Sequence, residues 1–204
     1  MRLVETIEVK QNLKITLRDR GKIIARREGH NIWLNIGREY LAGLIGYESF
    51  SPLAPERTDR IRYIGLGIGG TAQLVSPIPT TIDTAYPGTN NQTDTDPTIT
   101  GLERPIRLSG GSATYPGESG DVWVGQVQAP VTHASATDAT FIRAFTGSEV
   151  NYAPFLSVPV SEIGLFTNAA DPAMYDNVPV AYDTFDTLSK TSSFTLQVEW
   201  TIKF

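Results

Sequence analysis

Gly65, Gly67 and Gly70 in "IRYIGLGIGG" spell G-x-G-x-x-G behind an apolar run, the spacing with which a strand and a following helix cradle a pyrophosphate. That chemistry requires a helix to open at the third glycine, because the free amides and dipole of its N-terminus hold the phosphates. Here the chain continues "TAQLVSPIPTTIDTAYPGTN", and Pro77, Pro79 and Pro87 forbid such a helix. The glycines therefore predict a strand that another backbone or a bulky side chain approaches closely. No cofactor is expected.

Only His30 and His133 can supply an imidazole, and neither stands in a local pattern with a nucleophile or a carboxylate, so both read as structural. Asp94 and Asp96 in "TDTDP", and the run from Asp171 through Asp176 and Asp183 to Asp186, could offer oxygens to a hard cation. Neither set has the alternating donors, central glycine and closing glutamate of a calcium loop, and aspartate is also a common turn former. No metal is expected. Glu162 with one of these aspartates could make the facing carboxylate pair of a glycosidase. Its place just before "IGLF" equally suits a strand-end charge paired with Arg38 or Arg143. Trp33, Trp123 and Trp200 could stack on a sugar, but two of them lie in alternating strands and look like core.

The elements that must position these residues are mostly strands. In "NLKITLRDRGKIIARRE", Leu13, Ile15 and Leu17 share one parity and Lys14, Thr16 and Arg18 the other, with "RDRG" as a turn in which Gly21 takes a positive φ. From Asn35 the apolar residues Ile36, Tyr40, Leu41, Leu44 and Ile45 fall near helical spacing, with Asn35 as N-cap and Gly46 as the stop. Gly37 and Gly43 weaken this helix in isolation, so it needs a sheet to dock on. "DVWVGQVQAPV", "ATFIRAFT" and "VSEIGLFTN", the last bounded by Pro159, continue the strand character. The clearest signal is "FTLQVEWTIKF", where Phe194, Leu196, Val198, Trp200, Ile202 and Phe204 alternate with polar residues, as in a central or near-central antiparallel strand.

Between Thr71 and Gly120 the chain is dominated by Thr, Ser, Pro, Gly, Asn and Asp, a composition that buries too little apolar surface for a core of its own. It is expected to be an extended arm or loop insertion, 71–120, within a single β-rich domain, 1–204, with "ERPIRLSGG" pairing as a short strand. The predicted fold is mainly β, an antiparallel β-sandwich with one helix packed on it.

Composition excludes several functions. A net charge of -5 and a pI of about 5.1 argue against a nucleic-acid groove, and the basic residues of "RDRGKIIARRE" are interleaved with Asp19 and Glu28 as on a solvated hairpin face. The absence of cysteine excludes disulfides, thiolate metal sites and cysteine nucleophiles. "MRLVETIEVK" lacks the apolar core of a signal peptide, and no stretch approaches the roughly 20 apolar residues of a membrane span. A soluble chain made in the cytoplasm is expected, without nucleic-acid or membrane partners.

One resemblance adds to this. "SEIGLFTN", then a loop, then "VAYDTFDTLSKTSSFTLQVEWTIKF" resembles the ending of a group of tailed-bacteriophage virion proteins, on Glu162, Gly164, Leu165, Phe166, Phe185, Lys190, Thr191, Trp200, Ile202 and Phe204. "GHNIWLNIGREYLAGLI" followed by "IRYIGLGIGGTA" is similar to the middle of the same group. The first and last thirds of the chain are covered, and the stretch from Thr71 to about Ser157 is not. The resemblance implies a non-enzymatic virion part, with capsid decoration, collar, tail and baseplate components among its kind, and it carries over no catalytic residue. The leading expectation is a capsid decoration or cement protein that assembles in the host cytoplasm and binds copies of itself and the major capsid protein. A tail, collar or baseplate component is the alternative. A host-glycan-binding module, with Tyr86 and Tyr115 as its aromatic platform, is a third. Glu162, Phe166, Trp200 and Phe204 are the candidate interface or structural residues beside those two tyrosines, and the enzyme reading through Glu162 is the weakest.

Overall fold

The computed structural model describes residues 10–29, 32–46, 60–69, 98–99, 101–102, 105–106, 124–129, 131–150, 157–167 and 179–203. Among these residues nine strands and one helix run in the order β1 (Lys10–Asp19), β2 (Lys22–Gly29), β3 (Ile32–Trp33), α1 (Asn35–Gly46), β4 (Tyr63–Gly67), β5 (Val124–Gln126), β6 (Asp138–Phe145), β7 (Val158–Phe166), β8 (Ala181–Lys190) and β9 (Phe194–Lys203). They form two antiparallel sheets, β2-β1-β9-β6 and β3-β8-β7-β4-β5, packed face to face as a β-sandwich.

The alternation of "FTLQVEWTIKF" puts β9 at the centre of the first sheet. It pairs with β1 from Phe194↔Asp19 to Lys203↔Lys10 and with β6 from Leu196↔Phe145 to Lys203↔Asp138. Leu196, Val198, Trp200 and Ile202 point into the sandwich, each 1% exposed or less, and each such side chain removed from water contributes about 1.5–3 kcal/mol. The opposite parity forms the outer face, where Lys14 pairs with Glu199 and Thr140 Oγ1 meets Thr201 Oγ1 at 2.8 Å. The β1–β2 hairpin turns at Arg20 (φ 45°) and Gly21 (φ 83°), the left-handed pair that matches strand twist in a two-residue loop.

The middle of the second sheet is covered on both faces, which explains why β7 is buried continuously from Val160 to Phe166 and does not alternate. Ile64, Leu66, Ile163 and Leu165 face the first sheet. On the other side Phe166 and Tyr182 pack with Leu34, Ile36, Ile99 and Leu102 in a second, smaller core. Ile99, Leu102 and Ile106 are all buried, and Ile106 N donates to Leu66 O. At these positions the 71–120 segment belongs to the body. Of the expected short strand "ERPIRLSGG" only Pro105 and Ile106 are among the described residues, and Pro105 forms a bridge to Gly67 beside the end of β4. Pro159, expected to bound β7, lies within it opposite Ser189 of β8, outside the stretch of β7 that pairs with β4.

The helix spans the expected residues with its cap shifted by one. Arg38 N donates to Leu34 O, so Leu34 is the N-cap and Asn35 the first helical residue. Leu34 N is in turn held by Val180 O at 3.1 Å, and an alanine Cβ at Gly37 would sit 2.2 Å from that same carbonyl. Gly37 thus weakens the isolated helix and permits its docking. Tyr40 packs into the main core and Ile36 into the second.

Candidate functional site

Glu162 is the residue on which most of the chemical readings converge. It lies in the middle of β7, opposite Gly67 of β4 and Thr184 of β8, and is 0% exposed. One carboxylate oxygen accepts from Gly69 N at 2.9 Å, the other from the Tyr182 hydroxyl at 3.0 Å. The space it occupies exists because Gly67 has no side chain: a Cβ there would lie 2.1 Å from Oε1. The close approach expected at the glycines of "GLGIGG" is made, at Gly67, by the carboxyl group of Glu162, which fills the space beside this backbone. Glu162 joins β8, β7 and the chain beyond β4 into one cross-link.

The strand-end placement expected for Glu162 is corrected by this position, as is its pairing with Arg38 or Arg143. Arg38 is on the exposed side of α1, and Arg143 pairs with Glu149. Glu149 also accepts from Thr146 N, closing the corner after β6, while the Arg143 guanidinium lies 5.3 Å from the Phe145 ring centre.

Asp183 sits one residue from the position opposite Glu162, and neighbouring strand residues point to opposite faces. It pairs with Ile163, on the sandwich side, close against Gly29, where a Cβ would meet its Oδ2 at 2.0 Å. The two carboxylates cannot face one another across a cleft. Asp186 is exposed, at the bulge of β8, and is met by Arg27 at 3.9 Å. Among the described residues no group of three or more His, Cys, Asp or Glu could hold a metal ion. Asp94, Asp96, Asp171, Asp176, His30, Trp123, Tyr86, Tyr115 and Phe204 lie outside the described residues.

Phe166 (1% exposed) and Trp200 (0%) are framework residues, one in each core. Trp200 Nε1 donates to Gln11 Oε1 at 3.0 Å, so a polar residue at the apolar parity of β1 satisfies the indole. Lys190, at the end of β8, is fully buried with its ammonium on the carbonyls of Glu149 (3.2 Å) and Thr191 (2.8 Å). Burial pushes its pKa down to about 8, against the pull of the Glu149 charge.

His133 belongs to a turn. Its Nδ1 meets Asp138 O, and the Asp138 carboxylate accepts from Ala134 N, Ser135 N and Ser135 Oγ. The Ser135 backbone bond leads the causes that hold Asp138 below the usual carboxylate range. Beside this turn Gln128, Ala129, Thr132, Thr140 and Ile142 line a groove of about 210 Å³ along the β6 edge.

Tyr182 and Gln11, the partners that fix Glu162 and Trp200, were not singled out by sequence reasoning. The parity of Gln11 with Leu13 and Ile15 was a usable signal. The Tyr182–Glu162 contact, between residues 20 positions apart on different strands, had none. Compared with family models, with curated proteins and with solved structures, the chain has no match.

Proposed function

We propose that this chain is a non-enzymatic structural protein of a tailed-bacteriophage virion, a capsid decoration or cement protein working through interfaces with other copies of itself and with the major capsid protein. The reading rests on the resemblance of the ending from Glu162 to Phe204. What supports it is the position of the residues that carry that resemblance: Glu162 and Phe166 on β7, Phe185 and Lys190 on β8, and Trp200 and Ile202 on β9 are all buried, some between the two sheets and some under the outer cover of the second. The likeness is therefore one of scaffold, and the work of a scaffold protein is done at its surfaces.

The deciding experiment is the copy number of this chain in purified particles of the encoding phage, by quantitative mass spectrometry against the major capsid protein. A ratio near that of the capsid protein is the expected result. A few copies per particle would favour the same scaffold in the collar, tail or baseplate, and absence from the particle would overturn the virion assignment.

A further inference from the structure

Val150 has a φ of 56°, in the left-handed region that a β-branched residue disfavours strongly, and it is fully buried in the main core. Strain of this kind persists only where the surroundings over-determine it. Packing of the side chain is one part of that constraint. The other is the peptide group that precedes it. φ of Val150 sets, together with ψ of Glu149, the orientation of the peptide joining the two residues, and the carbonyl of that peptide is the one that accepts from Lys190 Nζ at 3.2 Å.

The corner that contains this peptide is tied down by other bonds. Glu149 N donates to Thr146 O at 3.2 Å, and the Glu149 carboxylate accepts from Thr146 N and from Arg143. Gly147 lies against the β8–β9 turn, where a Cβ would meet Ser192 O at 2.2 Å. The same turn carries the second acceptor of the ammonium, Thr191 O at 2.8 Å, which also accepts from Phe194 N. None of these bonds passes through the 149–150 peptide. That peptide can turn over by a change of ψ at Glu149 and φ at Val150 alone, which carries Val150 to a negative φ and leaves the Glu149 side chain in place.

We infer that the Glu149–Val150 peptide is a two-state switch latched by the Lys190 ammonium: with Lys190 charged, its bond to Glu149 O holds Val150 at positive φ, and with Lys190 neutral the peptide turns over and the strain is released. A charge-assisted hydrogen bond is about twice as strong as a neutral one, so loss of the proton removes much of what opposes the strain. It also ends the burial of a charge, the cause that brings the pKa of Lys190 down to about 8 and so puts the release within a range the folded protein can be studied in. Among the described residues few charged groups face the ammonium. The corner brings Glu149, which favours the charged form and is itself paired with Arg143 of β6. The β7 residues opposite this end of β8 are Val158, Pro159 and Val160, and neither β8, the β8–β9 turn nor the start of β9 has a titratable residue within three positions of Lys190. The switch goes beyond the proposed function and does not depend on residence in a virion.

Solution NMR of the isotope-labelled full-length protein from about pH 6 to about pH 10 tests it. Two sets of signals are followed together: Cε of Lys190, which reports the proton, and the backbone couplings and Cα and Cβ shifts of Val150, which report φ. Val150 is expected at positive φ at the acid end and at negative φ at the alkaline end, in one step with the same midpoint as Lys190. The ratio of released to latched peptide should rise by at most about tenfold per pH unit. Lys190→Met should show the alkaline signals of Val150 already at the acid end, with the signals of Val198 and Trp200 in β9 unmoved. Val150 signals that report one sign of φ from end to end would overturn the inference. So would a step whose midpoint differs from that of Lys190, or a Lys190→Met protein with the latched signals. Should Lys190→Met not fold, the wild-type titration decides alone.

Discussion

Replacing Gly67 by alanine tests whether the glycine is there to make room for Glu162. The added Cβ would lie 2.1 Å from Oε1, 2.5 Å from Cγ and 2.6 Å from Cδ of Glu162. Ordinary van der Waals contact begins at 3.4 Å, so the carboxylate must retreat by about 1 Å in a close-packed interior. Overpacking of this kind costs about 1–3 kcal/mol, and a displaced carboxylate also strains its bonds to Gly69 N and the Tyr182 hydroxyl, each worth about 1 kcal/mol. Gly67→Ala should therefore destabilise by about 2–4 kcal/mol, and Glu162→Ala by a similar amount because it removes the carboxyl acceptor of two buried hydrogen bonds. In the double variant the new methyl enters the space that the carboxylate has left. The two costs should then fall short of their sum by about 1–3 kcal/mol. Urea unfolding of the four proteins, followed by tryptophan fluorescence, measures this coupling. For a chain of this length each kcal/mol should also move the thermal midpoint by about 2–4 °C. Costs that add to within about 0.5 kcal/mol, or a Gly67→Ala protein that unfolds at the wild-type midpoint, would refute the reasoning.

Trp200→Phe should cost about 1–3 kcal/mol by removing the indole's bond to Gln11 Oε1, and combining it with Gln11→Leu should recover part of that loss in chemical denaturation. Lys190 has a pKa of about 8 in the folded state against 10.5 for the free side chain. Between those values the unfolded chain binds more protons, so wild-type stability should rise with pH relative to Lys190→Met, by at most about 1.4 kcal/mol per pH unit. A flat difference between the two proteins across that window would remove the buried-ammonium account. The pKa of Asp138 is lowered in the fold, so its contribution is complete above pH 3.8 and is lost as pH falls through the folded value. Acid titration of Asp138→Asn should lack that component. Gly21→Ala should destabilise by about 1 kcal/mol, since alanine is strained at the φ of 83° found there, which thermal unfolding will show.

The periodicity of β1 and β9 was legible because each has one wet face, and the alternation of Leu13, Ile15 and Leu17, or of Leu196, Val198 and Trp200, records it directly. β7 was legible as a strand but not as a doubly covered one. The residues that cover its outer face, Ile99 and Leu102, lie in a segment whose composition signals a loop. Only their packing shows that the segment returns to the body at that point. The glycines of "GLGIGG" announced a close approach but not its author, because Glu162 is brought to Gly67 by strand pairing across 95 positions of sequence. Its assignment as a strand-end charge failed for the same reason: a glutamate beside an apolar run is usually at the margin, unless a glycine and a hydroxyl from other strands admit it to the interior. The exposure of Ile23 and Ile24, 55% and 48%, was hidden by the bulge of β2 at Ile24, which shifts register without changing composition.

The central position of β9 also has a consequence for how the chain must be made. Lys10 pairs with Lys203 and Asp19 with Phe194, so the first strand of the sheet waits for the last. At a synthesis rate of about 5–20 residues per second, the interval between them is about 10–40 s. Through that time the β1–β2 hairpin can close on itself but cannot bury Leu13, Ile15 and Leu17 against Trp200 and its neighbours. Contacts this distant in sequence also make for slow folding once the chain is released. A chain cut short by an early stop would carry the hairpin but not the sheet that completes it. Maturation is thereby coupled to the synthesis of β9, and a ribosome that stalls before it yields a substrate for chaperones or proteases instead of a folded chain.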